Sequence, residues 1–183
     1  MKIPVKEFVE LPEGVSASFA DDVLLIKGPK GEVKKNFFHQ NIVVKIEESK
    51  VVVSCPLATR REKKIIFSWL AHIRNMIRGS LEPFVYKLKI CSGHFPMNVS
   101  VSNDNFIVKN FLGEKSPRVL KIKSGVGVKV SGDVVSVESV DKELAGNVAS
   151  DIEFLTLTRG RDLRIFQDGI YITDKPGRLM KNE

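Results

Sequence analysis

Leu11-Pro12-Glu13-Gly14-Val15-Ser16-Ala17-Ser18 returns in altered form as Phe95-Pro96-Met97-Asn98-Val99-Ser100-Val101-Ser102. Each copy sets a proline-led turn before alternating small and apolar residues, the pattern of a strand leaving a turn. Outward from this pair the correspondence continues in order. Val23-Leu24-Leu25-Ile26-Lys27 is matched by Phe106-Ile107-Val108-Lys109, and each precedes a loop ending in Gly-Glu, at Gly31-Glu32 and Gly113-Glu114. Val43-Val44-Lys45-Ile46 is matched by Gly127-Val128-Lys129-Val130. Each of these runs into a polar turn (Glu48-Ser49-Lys50; Ser131-Gly132-Asp133) and then a valine-rich strand. Each half then offers one helix that reaches an Arg-Gly pair, at Arg78-Gly79 and Arg159-Gly160. No single segment persuades, but the ordered succession does. The chain reads as a duplication: an α+β protein of two tandem similar domains, residues 1–82 and 83–183. Each is a small antiparallel β-sheet packed with one α-helix, and the second carries a basic C-terminal extension.

Short β-branched runs between clusters of Gly, Asn, Asp and Ser are antiparallel strands in this reading. Val51-Val52-Val53 does not alternate, as expected of a strand in a partly covered sheet. The first helix should run from Arg61 to Ile77, with Ile65, Ile66, Trp69, Leu70, Ile73, Met76 and Ile77 as its apolar stripe. The second should run from Lys142 to Leu157 and bury Leu144, Val148, Ile152 and Leu155, with Asp141 as N-cap. Gly79 and Gly160 are placed as left-handed residues just past each helix. The segment from Glu82 to Ile90 alternates Phe84, Tyr86, Leu88 and Ile90 with Val85, Lys87 and Lys89, so it is a strand rather than a tether.

The balance of charge points to an anionic partner. The 183 residues carry a formal net charge of +7, with 28% charged and 43% hydrophobic side chains. Such a chain can fold a core and still attract a polyanion by counterion release. No stretch approaches the roughly 20 apolar residues that span a bilayer, and the start Met1-Lys2-Ile3-Pro4-Val5-Lys6-Glu7 has no apolar signal region. Cys55 and Cys91 give no disulfide framework and read as reduced core side chains. A cytoplasmic protein without a membrane partner fits best.

The richest functional signal is Arg159-Gly160-Arg161-Asp162-Leu163-Arg164-Ile165-Phe166-Gln167-Asp168-Gly169-Ile170-Tyr171-Ile172. Arginine's planar fork of donors suits phosphate oxygens, and aromatic rings stack on unpaired bases. A solvated basic hairpin is the commoner meaning of such a run, but here the whole chain shares the bias. A second basic patch, Lys115-Ser116-Pro117-Arg118-Val119-Leu120-Lys121-Ile122-Lys123, alternates lysines with apolar residues. A one-sided row of lysines also guards sheet edges. The first helix opens on Arg60, Arg61, Lys63 and Lys64 against Glu62 alone, and cations there oppose the helix dipole. Either this is tolerated surface charge or an external anion offsets it. Gly28-Pro29-Lys30-Gly31 has the G-x-x-G spacing of a phosphate clamp but lies between strands, where a tight turn is the better reading.

No enzymatic constellation emerges. His39, His72 and His94 lie in unlike contexts without metal-ligand spacing. The chain has no Walker sequence, dinucleotide fingerprint or serine elbow, and Asp21-Asp22 is a turn pair before a strand. The reading is therefore of a non-enzyme with no cofactor and no metal.

Several of these motifs together resemble the family of the sixth large-subunit ribosomal protein, in its archaeal and eukaryotic branch. The resemblance rests on Leu11-Pro12-Glu13-Gly14-Val15, Lys27-Gly28-Pro29-Lys30-Gly31, Ala71-His72-Ile73-Arg74-Asn75-Met76-Ile77, Tyr86-Lys87-Leu88-Lys89, His94-Phe95-Pro96-Met97, Asn110-Phe111-Leu112-Gly113-Glu114-Lys115 and Arg164 through Ile172. It covers nearly the whole chain. It implies a structural constituent of the large ribosomal subunit, built of two similar domains and set among neighbouring ribosomal proteins. Such a protein binds large-subunit ribosomal RNA chiefly through its second domain, near the region where translational GTPase factors dock. Carried to this chain, the RNA-facing positions are Lys115, Arg118, Arg159, Arg161, Arg164, Lys175 and Arg178, with Gly160 and Gly169 allowing close backbone approach. Phe154 and Thr158 depart from the family pattern, where a glutamine and an aliphatic residue are usual. A free-standing RNA-binding regulator and a protein–protein adaptor with basic faces are the alternatives.

Overall fold

The computed structural model describes residues 3–47 and 49–177, and the chain divides into two units, Met1–Pro83 and Phe84–Glu183. The first holds strands β1 (Ile3–Glu10), β2 (Ser16–Ala20), β3 (Val23–Gly28), β4 (Gly31–Asn36), β5 (Val43–Glu47) and β6 (Lys50–Ala58), then helix α1 (Arg60–Leu81). The second holds β7 (Phe84–Cys91), β8 (Asn98–Ser102), β9 (Asn105–Lys109), β10 (Arg118–Lys121), β11 (Gly127–Ser131), β12 (Val134–Ser139), helix α2 (Lys142–Leu155) and β13 (Gly169–Asp174).

The duplication holds element by element. Sheet order β1-β6-β5 is repeated as β7-β12-β11, and β2-β3-β4 as β8-β9-β10, all antiparallel. Strand β13 has no counterpart and joins the free edge of β7. Each unit thus divides its strands between two small antiparallel sheets where one was expected, since alternation in a sequence marks a strand without marking its partner and so could not show the division. Even the turns repeat. Asp21 and Asp22 have φ of 49° and 62°, and Asn103 and Asp104 have 46° and 60°. Both central residues of each two-residue hairpin are left-handed, as the right-handed twist of the flanking strands demands. Behind each turn the same carbonyl is used again: Phe37 N–H donates to Asp22 O and Ile122 N–H to Asp104 O, both at 2.8 Å.

Helix α1 buries Ile66, Leu70, Ile73, Met76 and Ile77, whereas Ile65 and Trp69 are half-buried. Trp69 meets Phe37 edge-on at 5.3 Å. The helix runs past the expected Ile77 to Leu81, and Gly79 is an interior, buried helical residue, not a left-handed cap. The reason lies in the turn of Gly28-Pro29-Lys30-Gly31. Lys30 N–H donates to Ser80 O at 3.0 Å, satisfying a helix-end carbonyl from outside the helix. A Cβ on Gly28 would sit 2.7 Å from Ser80 Cβ and O. The G-x-x-G spacing therefore serves a tight turn and its close contact with α1. At the other end Thr59 and Glu62 form a capping box. Thr59 N–H donates to Glu62 Oε2 at 2.9 Å, the Thr59 hydroxyl also faces that carboxylate, and Arg61 N–H donates to Thr59 Oγ1 at 3.3 Å. The Thr59 hydroxyl, followed by backbone donors, holds the Glu62 carboxyl down to about 2.

Helix α2 ends at Leu155, two residues before the expected end, and buries Ala145, Val148, Ala149 and Ile152, with Leu144 and Leu155 half-buried. Asp141 caps it as expected, accepting from Glu143 N–H at 2.8 Å. Gly160 is left-handed, with φ of 70°, but it lies in the loop beyond the Thr156 cap. Strand β7 replaces any linker, burying Phe84, Tyr86, Leu88 and Ile90 and exposing Lys87 and Lys89.

Candidate nucleic-acid interface

The arginine-rich run forms the connection between α2 and β13. Its two ends are tied together by threonines that are buried for their hydrogen bonds. Thr156 Oγ1 accepts from Ile170 N–H at 2.9 Å, and Thr158 Oγ1 donates to Asp168 O at 3.3 Å. Thr158, a departure from the family pattern, thus closes the base of the loop. At its tip Asp162 organises a turn: its carbonyl accepts from Ile165 and Phe166 N–H at 3.1 and 2.9 Å, and its carboxylate from Arg164 N–H at 3.0 Å. Such side-chain capping is the usual work of aspartate in turns.

The strongest anchor is Asp168, whose side chain is 1% exposed. Gly93 N–H and His94 N–H donate to its Oδ1 at 2.5 and 2.9 Å, and His94 Nδ1 lies 2.5 Å from Oδ2. Burial pushes the carboxyl up, but these donors outweigh it and hold the group below the ordinary carboxylate range. His94 stacks on Phe166 at 4.7 Å, and the Arg161 guanidinium lies over the same ring, 4.8 Å from its centroid. A chain of contacts thus runs from a buried carboxylate through two rings to a surface arginine. In the sequence His94 stands only as a histidine without metal-ligand spacing, and Asp168 has no evident partner. The residues are 74 positions apart, and their meeting is a tertiary event. The one available signal was that both fall inside motifs of the resembled family.

The structure brings some of the expected residues together and not others. Arg118, Arg159 and Arg161 line one cleft of about 490 Å³ with Phe111, Glu114 and Phe154. Within it Arg118 is fully occupied. Its Nε and Nη2 fork onto Glu114 at 2.8 and 2.5 Å, its Nη1 donates to Leu155 O at 2.6 Å, and its guanidinium covers Phe111 at 4.2 Å. A cation on the last carbonyls of α2 also suits the helix dipole. Arg118 hydrogen bonding, more than its charge alone, holds the Glu114 carboxyl below its usual range, with Arg161 adding a smaller pull. Arg159 and Arg161 are exposed and form no ion pair among the described residues. Lys115, next in sequence to Glu114, is exposed.

Arg164 is 89% exposed and forks onto Asp162 at 2.8 and 3.1 Å. Exposed Leu163 and Ile165 flank it, an apolar element that sequence reading passed over. Gly169 is buried. A Cβ there would meet the Tyr171 ring at 3.1 Å, so its missing side chain makes room for that ring. Lys175 is exposed just beyond β13, and Arg178 lies outside the described residues. Of the second basic patch, Lys123 is paired with Asp151 at 3.0 Å while Lys121 is exposed.

Among the described residues no helix is long and apolar enough to cross a membrane. A model described as "Ribosomal protein L6" matches the chain in two segments, residues 11–82 and 95–169. One model matching both halves agrees with the repeated topology. The chain is 41% identical to the large ribosomal subunit protein uL6 of Nanoarchaeum equitans, over the whole of both chains. It is 43% identical to that of Aeropyrum pernix over 94% of this chain and 96% of the relative. To that of Methanosarcina mazei it is 42% identical, over 91% and 95%. With a family model on both halves and archaeal relatives aligned along almost their full length, the chain belongs to the ribosomal protein L6 family, on its archaeal side.

Proposed function

We propose that the chain is a structural, non-enzymatic constituent of the large ribosomal subunit that binds large-subunit ribosomal RNA through the loop between α2 and β13. The observation that carries this is the pair Arg159 and Arg161, exposed and without ion pairs among the described residues, on a loop whose base and tip are fixed by buried or short-range hydrogen bonds. Cations on a pre-ordered loop bind phosphate without first losing conformational freedom. Lys115, Arg164, Gly160, Lys175 and Arg178 extend the contact, and Arg118 shapes its floor. The names of the relatives support membership of the large subunit, among neighbouring ribosomal proteins in the cytoplasm. Its place near the docking region of translational GTPase factors follows from the resemblance of its motifs. Co-sedimentation tests the reading: the chain should stay at one copy per large subunit through a moderate salt wash. Release into the free fraction under that wash, with RNA affinity retained, would instead describe a free-standing RNA-binding regulator.

A further inference from the structure

Helix α1 presents to solvent a row of residues that the loop-based reading leaves unused. Arg60, Lys64, Phe67, Ala71, Arg74 and Arg78 follow one another at alternating steps of four and three, and all are exposed. That spacing puts them on one side, away from the buried Ile66, Leu70, Ile73 and Ile77. At about 1.5 Å per residue the row is roughly 27 Å long. Cations stand at both ends, and the small Ala71 leaves the middle open to close approach.

Three of this unit's sheet lysines have carboxylate partners, Lys6 with Glu47 at 3.7 Å, Lys27 with Glu32 at 3.6 Å and Lys50 with Glu10 at 2.9 Å, whereas the exposed Lys34 and Lys45 have none among the described residues. The four cations of the α1 row have none among the described residues. The helix's one carboxylate, Glu62, is turned back onto Thr59 by the capping box and faces away from this use. Arg60 and Lys64 moreover stand in the first turn, where the helix dipole disfavours them. What sets the row apart is its alignment: four cations without carboxylate partners among the described residues stand along one face of a 22-residue helix, a pattern that suits an extended anionic partner.

We propose that this face of α1 is a second RNA-contact surface, gripping the sugar-phosphate backbone of folded ribosomal RNA; the inference rests on the RNA-binding role proposed above. RNA fits better than an acidic protein because four of the six residues in the row are cations, and only Phe67 and Ala71 at its middle are apolar, whereas protein interfaces deplete charge at their core. Four charged forks and ammonium groups along a line suit a polymer with a phosphate at every residue.

The test uses the full-length chain, protein-free large-subunit ribosomal RNA and filter binding from about 50 to 300 mM KCl. A helix variant carries Arg60→Gln, Lys64→Gln, Arg74→Gln and Arg78→Gln; a loop variant carries Arg159→Gln and Arg161→Gln. The helix variant should bind at least about tenfold more weakly at low salt, and its slope of log affinity against log salt should be shallower by roughly 3 to 4. Its melting temperature should be unchanged or higher. Equal affinity and slope in the helix variant and the parent would overturn the proposal while leaving the loop reading intact. If that variant also falls off large subunits, an acidic protein occupies the face instead, which overturns it equally. No binding by the parent chain would overturn both readings. Should the fourfold variant unfold, the Arg60/Lys64 and Arg74/Arg78 pairs carry the same comparison, each with about half the change in slope.

Discussion

At the level of single residues, exposure and partners separate arginines that look alike in sequence. Arg118 donates to Glu114 and Leu155 O and covers Phe111, while Arg159 and Arg161 have no ion pair among the described residues. Arg118→Ala should therefore destabilise the chain by roughly 1–2 kcal/mol through its lost hydrogen bonds, read as a lower melting temperature. Replacing Arg159 and Arg161 with alanine should leave melting nearly unchanged and weaken RNA binding. Asp168 gives the clearest pH dependence. Its folded pKa is held below the ordinary value by Gly93 and His94 donors that outweigh burial. Stability from this ionised carboxylate is complete above the unfolded value of about 4 and is lost as pH falls through the lower folded value. Asp168→Asn should melt lower at neutral pH, by roughly 1.5–3 kcal/mol. Thermal melts of the two proteins across pH 7 to 2 should converge at the acid end.

Among the elements, the turn between β3 and β4 and the end of α1 form one unit of structure. Gly28 is required there by contact, since its φ is not in the left-handed region and Ser80 stands 2.7 Å from where a Cβ would be. Gly28→Ala should cost about 2–3 kcal/mol by overpacking, and urea unfolding of the variant should show a lower midpoint with an unchanged slope. The ends of α1 mark what was legible locally. Thr59-Arg60-Arg61-Glu62 carries the capping-box spacing, unused in the expected start at Arg61, so the start of the helix was legible locally. Its far end was not. Gly79 carries the chemistry of a stop signal, yet the backbone stays helical because Lys30 satisfies Ser80 O from another element. Strand β13 shows the same limit: Ile170-Tyr171-Ile172 reads as a strand, but nothing local says that it will join the edge of β7.

Over the whole molecule, a net charge of +7 suits a polyanionic partner, and the proposed RNA binding should fall steeply with salt, because each phosphate contact releases counterions. Raising KCl from about 50 to 200 mM should lower affinity by roughly a thousandfold or more if six or more phosphates are held, measured by filter binding. A slope near zero would mean that the contact is not with phosphate. Duplication, the tandem sheet-plus-helix plan, the basic bias and the family were all written in the order of residues. Strand alternation, turn pairs and charge are local properties that survive without a partner. The three-dimensional fold alone decided that each unit divides its strands between two sheets, and that Arg118 is bonded while Arg161 is not. It also decided that His94 and Asp168 meet across 74 positions to hold the arginine loop. Those outcomes depend on which buried donors and acceptors come within hydrogen-bond reach once the chain has closed, and no local pattern encodes that distance.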